Sequence, residues 1–222
     1  MIERLRAQMA AAANPAKAAG MQAYMKSTMP YHGVNLPAVR SISRKIFDGS
    51  AMGCAEWQAT ILELWRGARY REERYAALFL LGLKRHRACL TPKQMPMLEE
   101  LIVTGAWWDY VDSVAGLVGD LLRRYPGEVR AMMRDWSTDT DKWKRRVSIT
   151  CQLGFKRDTD LDLLYANIEP NLADRDFFIR KAIGWALRQY AWTDPQEVAR
   201  YVRDHEARLS GLSRREALKN IG

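Results

Sequence analysis

Apolar residues recur along the chain at three- and four-residue intervals, as at Trp57, Ile61, Leu64 and Trp65. No stretch of strand length alternates apolar with polar positions. That period gathers apolar side chains on one stripe of a helix. Prolines fall between the helical patterns, at Pro30, Pro37, Pro92, Pro126, Pro170 and Pro195. Thr91-Pro92 and Asp194-Pro195 read as an N-cap followed by the first helical residue, where the N–H that proline lacks has no partner to lose. The pattern predicts helices over 3–13, 17–27, 37–48, 54–67, 69–84, 92–104, 107–124, 126–136, 141–154, 158–168, 174–190, 194–204 and 212–220.

A longer period lies over the helical one. Segments that begin polar or aromatic and then turn small and apolar start at Arg74, Tyr110, Arg145 and Arg180, spaced by 36, 35 and 35 residues. An ordinary bundle would match these intervals only by accident. A two-helix unit of that length cannot bury its own apolar face and stacks on its neighbours. The expected fold is therefore all-α, a curved solenoid of helix pairs forming one domain over 1–222, with one set of helices lining the inner face.

Charge adds a partner to this picture. The 222 residues carry 35 Lys plus Arg against 26 Asp plus Glu, a formal net charge of +9. Six cations and no acid lie from Lys142 to Arg157: Lys142, Lys144, Arg145, Arg146, Lys156 and Arg157. Such a stretch is either a solvated helix face or a track for phosphates. The longest apolar run, Ala76 to Leu83, is too short to span a bilayer, and the N-terminus has no secretory pattern. The three cysteines, Cys54, Cys89 and Cys151, lie far apart. Their odd number suits a reducing, cytoplasmic setting better than a disulfide framework.

Conventional catalytic groupings are missing from the sequence. His32, His86 and His205 are scattered, without metal-ligand spacing or an evident nucleophile to serve, so no metal is expected. Neither a phosphate-binding GxxxxGK[ST] loop nor GxGxxG occurs. The informative segment runs from Thr104 to Val114. Trp107, Trp108, Asp109 and Asp112 open a helix there, and Trp108 and Asp112, four apart, share a face. Asp109 suits capping of the first turn. Asp112 lies deeper, among Val111 and Val114, where capping does not explain it. Trp185 occupies a comparable helix two repeats later. Indoles beside a carboxylate can pack on core neighbours or grip a sugar or base.

With these residues in view, the chain resembles the AlkD-type DNA alkylation repair glycosylases, which are built from HEAT-like repeats. The resemblance runs through Tyr24 to Lys26, Pro30 to Pro37, Trp107 to Val114, Trp143 to Ile149, Asp176 to Tyr190 and Leu212 to Lys219. It implies that Asp112 is the catalytic carboxylate, that Trp108 and Trp185 wall the lesion deoxyribose, and that Arg146 holds a backbone phosphate. Arg145 shares or replaces that last role, and Tyr24 lies near the DNA. Lys156 joins the DNA-binding set as part of the basic stretch. The implied activity is excision of positively charged N3- and N7-alkylated purines from duplex DNA in base excision repair, without base flipping. Such an enzyme would be a monomer associated with the nucleoid, needing no cofactor and no membrane. The alternatives are a non-catalytic relative that binds distorted or branched DNA and a protein-binding solenoid.

Overall fold

The computed structural model describes residues 1–221. Among them are thirteen α-helices joined by turns and four short 3-10 segments, with no strand. The chain divides into two compact units, Met1–Leu90 and the part from Thr91 onward.

The first unit holds α1 (Ile2–Ala11), α2 (Pro15–Tyr24), α3 (Leu36–Phe47), α4 (Cys54–Arg66) and α5 (Arg71–Leu81). Its core gathers Leu5, Phe47, Trp57, Ile61, Trp65 and Leu80. Two adjacent acids on α5 are buried and fully used. The Glu72 carboxylate accepts from the backbone N–H groups of His32, Gly33 and Val34 at 2.9–3.1 Å. Glu73 accepts from Arg6 Nε at 2.8 Å. Gly33 is held at φ +84°, where a Cβ would meet the Asn14 carbonyl oxygen at 2.1 Å, so the turn pinned by Glu72 requires glycine.

The cysteine expectation is corrected here. Cys54 and Cys89 form a disulfide, and only Cys151 is a free thiol. Their separation of 35 residues is one helix pair: α4 runs out, α5 returns, and the 3-10 segment Lys84–Cys89 ends beside the start of α4. Cysteines distant in sequence are thereby neighbours in space, and closing a loop of that length stabilises by about 2–4 kcal/mol.

The second unit holds α6 (Met95–Gly105), α7 (Trp108–Arg124), α8 (Pro126–Trp136), α9 (Lys142–Thr150), α10 (Leu161–Ile168), α11 (Phe177–Ala191), α12 (Pro195–Asp204) and α13 (Gly211–Ala217). These form consecutive pairs, and their second helices pack in sequence, α7 on α9, α9 on α11, α11 on α13. Two glycines permit the close approach. A Cβ on Gly119 of α7 would lie 2.2 Å from the Cys151 carbonyl oxygen, and one on Gly184 of α11 would lie 2.5 Å from Glu216 Cβ. Buried asparagines tie α10 to α9 and the turn after α10 to the end of α8. Asn167 Nδ2 donates to the Ser148 carbonyl, and Asn171 Nδ2 to that of Ser137, each at 2.8 Å.

Most predicted helices are present, with shorter ends. The helix expected over 141–154 stops at Thr150, because Gly154 (φ +79°) and Lys156 (φ +56°) turn the chain through left-handed backbone. The helix expected over 17–27 stops at Tyr24, with Lys26 at φ +49°. No helix among the described residues is long and apolar enough to cross a membrane.

Candidate active site

The site lies within the second unit, toward the N-terminal ends of α7, α9 and α11. The starts of α9 and α11 are built by local caps. Asp141 Oδ1 caps α9 by accepting from the N–H groups of Trp143 and Lys144, and Asp176 Oδ1 caps α11 by accepting from Phe178 and Ile179. Burial works against charge on Asp176. The Lys142 ammonium at 2.9 Å and the capped N–H groups outweigh it, and the carboxyl sits below its ordinary range. Lys142 also lies 5.4 and 5.5 Å from the ring centroids of Trp143 and Phe178.

Between these helix starts Asp112 of α7 meets Arg146 of α9. Arg146 Nε donates to Asp112 Oδ1 at 2.7 Å and Nη2 to Oδ2 at 2.8 Å, a two-point, in-plane pair. Nη1 donates to the Phe178 carbonyl on α11 at 2.7 Å. Three successive inner helices thus converge on one guanidinium. The Arg146 side chain is 6% exposed and that of Asp112 17%, so the carboxylate is the part open to a ligand. The guanidinium carbon lies 5.9 Å from the Trp185 ring centroid. Trp108, the first residue of α7, stands one turn before Asp112 and is half-buried.

Sequence reasoning did not foresee the aromatic support behind this pair. Trp107, Trp143 and Phe178 form a cluster with centroid separations of 4.9–6.3 Å. These rings pack together at the starts of α7, α9 and α11. The signal was that all three belong to the segments flanking Asp112, Arg146 and Trp185.

The basic stretch proves heterogeneous. Arg145 donates to the carbonyls of Asp139 and Thr140 and to Asp174, so it braces the loops before α9 and α11. Lys144 pairs with Glu99 at 2.7 Å and with Asp139, and Lys142 pairs with Asp176. Burial opposes charge on Asp139 as well, but Lys144 and the N–H of Asp141 hold its carboxyl below the usual range. Four of the six cations are therefore engaged inside the protein. Lys156 and Arg157 are exposed and have no side-chain partner among the described residues. Tyr24 lies in the first unit, at the end of α2, and is 77% exposed.

The histidines are locally bound. His32 stacks on Tyr70 with centroids 3.6 Å apart, buried His86 packs against Trp57, and His205 pairs with Glu169. Among the described residues no three His, Cys, Asp or Glu are grouped to hold a metal ion.

Comparison with known proteins agrees with this architecture. The family model for the DNA alkylation repair enzyme matches residues 5–221. A solved structure described as a predicted DNA alkylation repair enzyme from Enterococcus faecalis superposes with a TM-score of 0.85, at 30% identity, over 95% of this chain and 97% of that one. No match is found among the curated proteins. A model spanning nearly the whole chain and a close likeness in fold together show that this chain belongs to the DNA alkylation repair enzyme family.

Proposed function

We propose that the protein is a DNA N-glycosylase of the AlkD type, built from HEAT-like repeats, that hydrolyses the bond between deoxyribose and a positively charged N3- or N7-alkylated purine in duplex DNA. The observation that carries this reading is a carboxylate partly open to solvent, held at two points by a buried arginine beside an indole.

Alkylation puts a positive charge on the purine and makes it a good leaving group. As the glycosidic bond breaks, its electron pair leaves with the base, which departs neutral, and cationic character develops at the sugar. Asp112 supplies a fixed negative charge at that point. Its orientation is set before the reaction by Arg146, which is how a preorganised site lowers a barrier without reorganising. Water then adds to the sugar carbon and releases its proton to solvent. Trp185 and Trp108 offer aromatic faces to the cationic sugar.

Arg146 has two roles in this reading. Three of its five N–H groups hold Asp112 and the Phe178 carbonyl, which leaves one on Nη1 and one on Nη2 for a backbone phosphate. Arg145 has a bracing role, and exposed Lys156 and Tyr24 add contacts to the duplex. A contact to phosphate positions the DNA without reading its sequence. Excision would proceed with the base left in the duplex, so no base pocket is required, in contrast to base-flipping glycosylases.

The test is base release from a duplex containing N7-methylguanine, with the wild type and Asp112→Asn compared after both are shown to be folded. The expected result is release by the wild type and a loss of at least about a hundredfold in the variant, the scale of removing one preorganised electrostatic group. Equal release by both removes Asp112 from the chemistry. No release by the wild type from N3- or N7-alkylated substrates overturns the glycosylase reading and leaves a DNA-binding relative.

A further inference from the structure

The far ends of the same helices carry a feature that the active site does not use. Arg123 in the last turn of α7, the turn Gly154–Asp158 after α9, and Trp192 just past α11 line an open cleft of about 530 Å³ together with Thr193. Trp192 is 73% exposed, the most exposed of the eight tryptophans, and a large indole in water is unusual for a residue that normally packs. Lys156 and Arg157, the two cations of the basic stretch left unpaired, are both here. Arg123 lies over the Phe155 ring at 3.9 Å. One acid, Asp158, shares the lining, against three cations.

Helical register places this cleft on the side that carries the active site. Asp112 and Arg123 are 11 residues apart, about 1,100° at 100° per residue, three turns and a small remainder. Trp185 and Trp192 are 7 apart, two turns within about 20°. Arg123 therefore lies on the Asp112 stripe of α7, about 16 Å farther along the axis, and Trp192 on the Trp185 stripe of α11, about 10 Å farther. Those separations match about three to five nucleotides of one strand at 3.4 Å each.

Lys156 adds a second, independent mark. Its backbone sits at φ +56°, a conformation that costs a residue with a Cβ and that glycine would adopt freely. Strain of this kind at an exposed lysine directs attention to what its side chain does.

We propose that this cleft is a second anchor for the same DNA. Lys156, Arg157 and Arg123 hold backbone phosphates three to five nucleotides from the sugar that faces Asp112, and Trp192 lays its indole on a neighbouring sugar. The proposal rests on the DNA reading above and adds a site to it.

The experiment uses the intact protein and an undamaged 25-base-pair duplex, with affinity measured by fluorescence anisotropy at several salt concentrations. Lys156→Gly with Arg157→Ala should lower the slope of log affinity against log salt by about two, since each lost phosphate contact removes about 0.9. Lys156→Gly alone should weaken binding severalfold without lowering the melting temperature, a combination that a merely structural lysine would not give. Trp192→Ala should raise Kd about fivefold or more, with the salt slope unchanged, and Trp192→Phe should recover most of the loss. An unchanged slope in the double variant, or equal affinity for Trp192→Ala and wild type, overturns the anchor. Base release by the wild type is read separately on alkylated duplex. Release with an unchanged slope rejects the anchor alone, and a reduced slope without release rejects the glycosylase reading alone.

Discussion

Removing the Asp112 carboxylate should unfold the second unit more readily as well as silence the chemistry, and the structure sets the size of the effect. The Arg146 side chain is 6% exposed, and in Asp112→Ala its guanidinium keeps only the Phe178 carbonyl. Breaking a buried pair from one side costs about 3–5 kcal/mol, because the other charge is left without a partner. Asp112 itself is 17% exposed, so water can enter the space it vacates. The lower end therefore applies, about 3 kcal/mol, or a melting shift of about 6–12 °C for a chain of this size. Replacing both partners together, Asp112→Leu with Arg146→Met, removes the orphaned charge and should lie much nearer the wild type, giving a coupling of about 2–3 kcal/mol. Urea unfolding followed by tryptophan fluorescence is the assay. Six of the eight tryptophans lie after Leu90 and so report on the unit that holds the pair. An Asp112→Ala variant within about 0.5 kcal/mol of wild type would refute the argument, as would a double variant as unstable as the sum of its singles.

Two further outcomes follow from packing and charge. Gly119→Ala drives a Cβ against the Cys151 carbonyl and should cost about 1–3 kcal/mol, whereas Gly116→Ala on the same helix, with open space around it, should gain about 0.5–1 kcal/mol; thermal melts giving both changes the same sign would count against the close approach of α7 and α9. Asp176, whose carboxyl is held below its ordinary range by Lys142 and the capped N–H groups, contributes stability that is complete above the unfolded-state value of about 3.9 and fades as pH falls through the folded one. The stability gap between wild type and Asp176→Ala, about 1 kcal/mol at pH 7, should therefore narrow toward pH 3, and a gap that holds or widens would show that the charge is not the cause.

The Asp112–Arg146 pair shows how far one-dimensional reasoning reaches. Trp108 and Asp112 on one face of a helix follow from their spacing, and resemblance brought Arg146 and Trp185 to the same place. Beyond the phosphate role expected of Arg146, the structure shows three of its N–H groups orienting the carboxylate and joining α9 to α11. A run of like charges carries no information about which members will find acids. Those acids, Glu99, Asp139, Asp174 and Asp176, lie on other segments, and only packing brings them near.

Periodicity alone determined that this chain is helical, where most helices lie and that pairs repeat about every 35 residues, because those properties depend on neighbours within one or two turns. The tertiary structure decided what depends on distant segments meeting. It paired Cys54 with Cys89 across one helix hairpin, and turned the chain at Gly154 and Lys156 before the ninth helix reached its expected length. It also separated the engaged cations from the free ones. Side-chain charge and size are written in the sequence, but a partner is a matter of distance, and distance between residues far apart in the chain is set only when the helices pack.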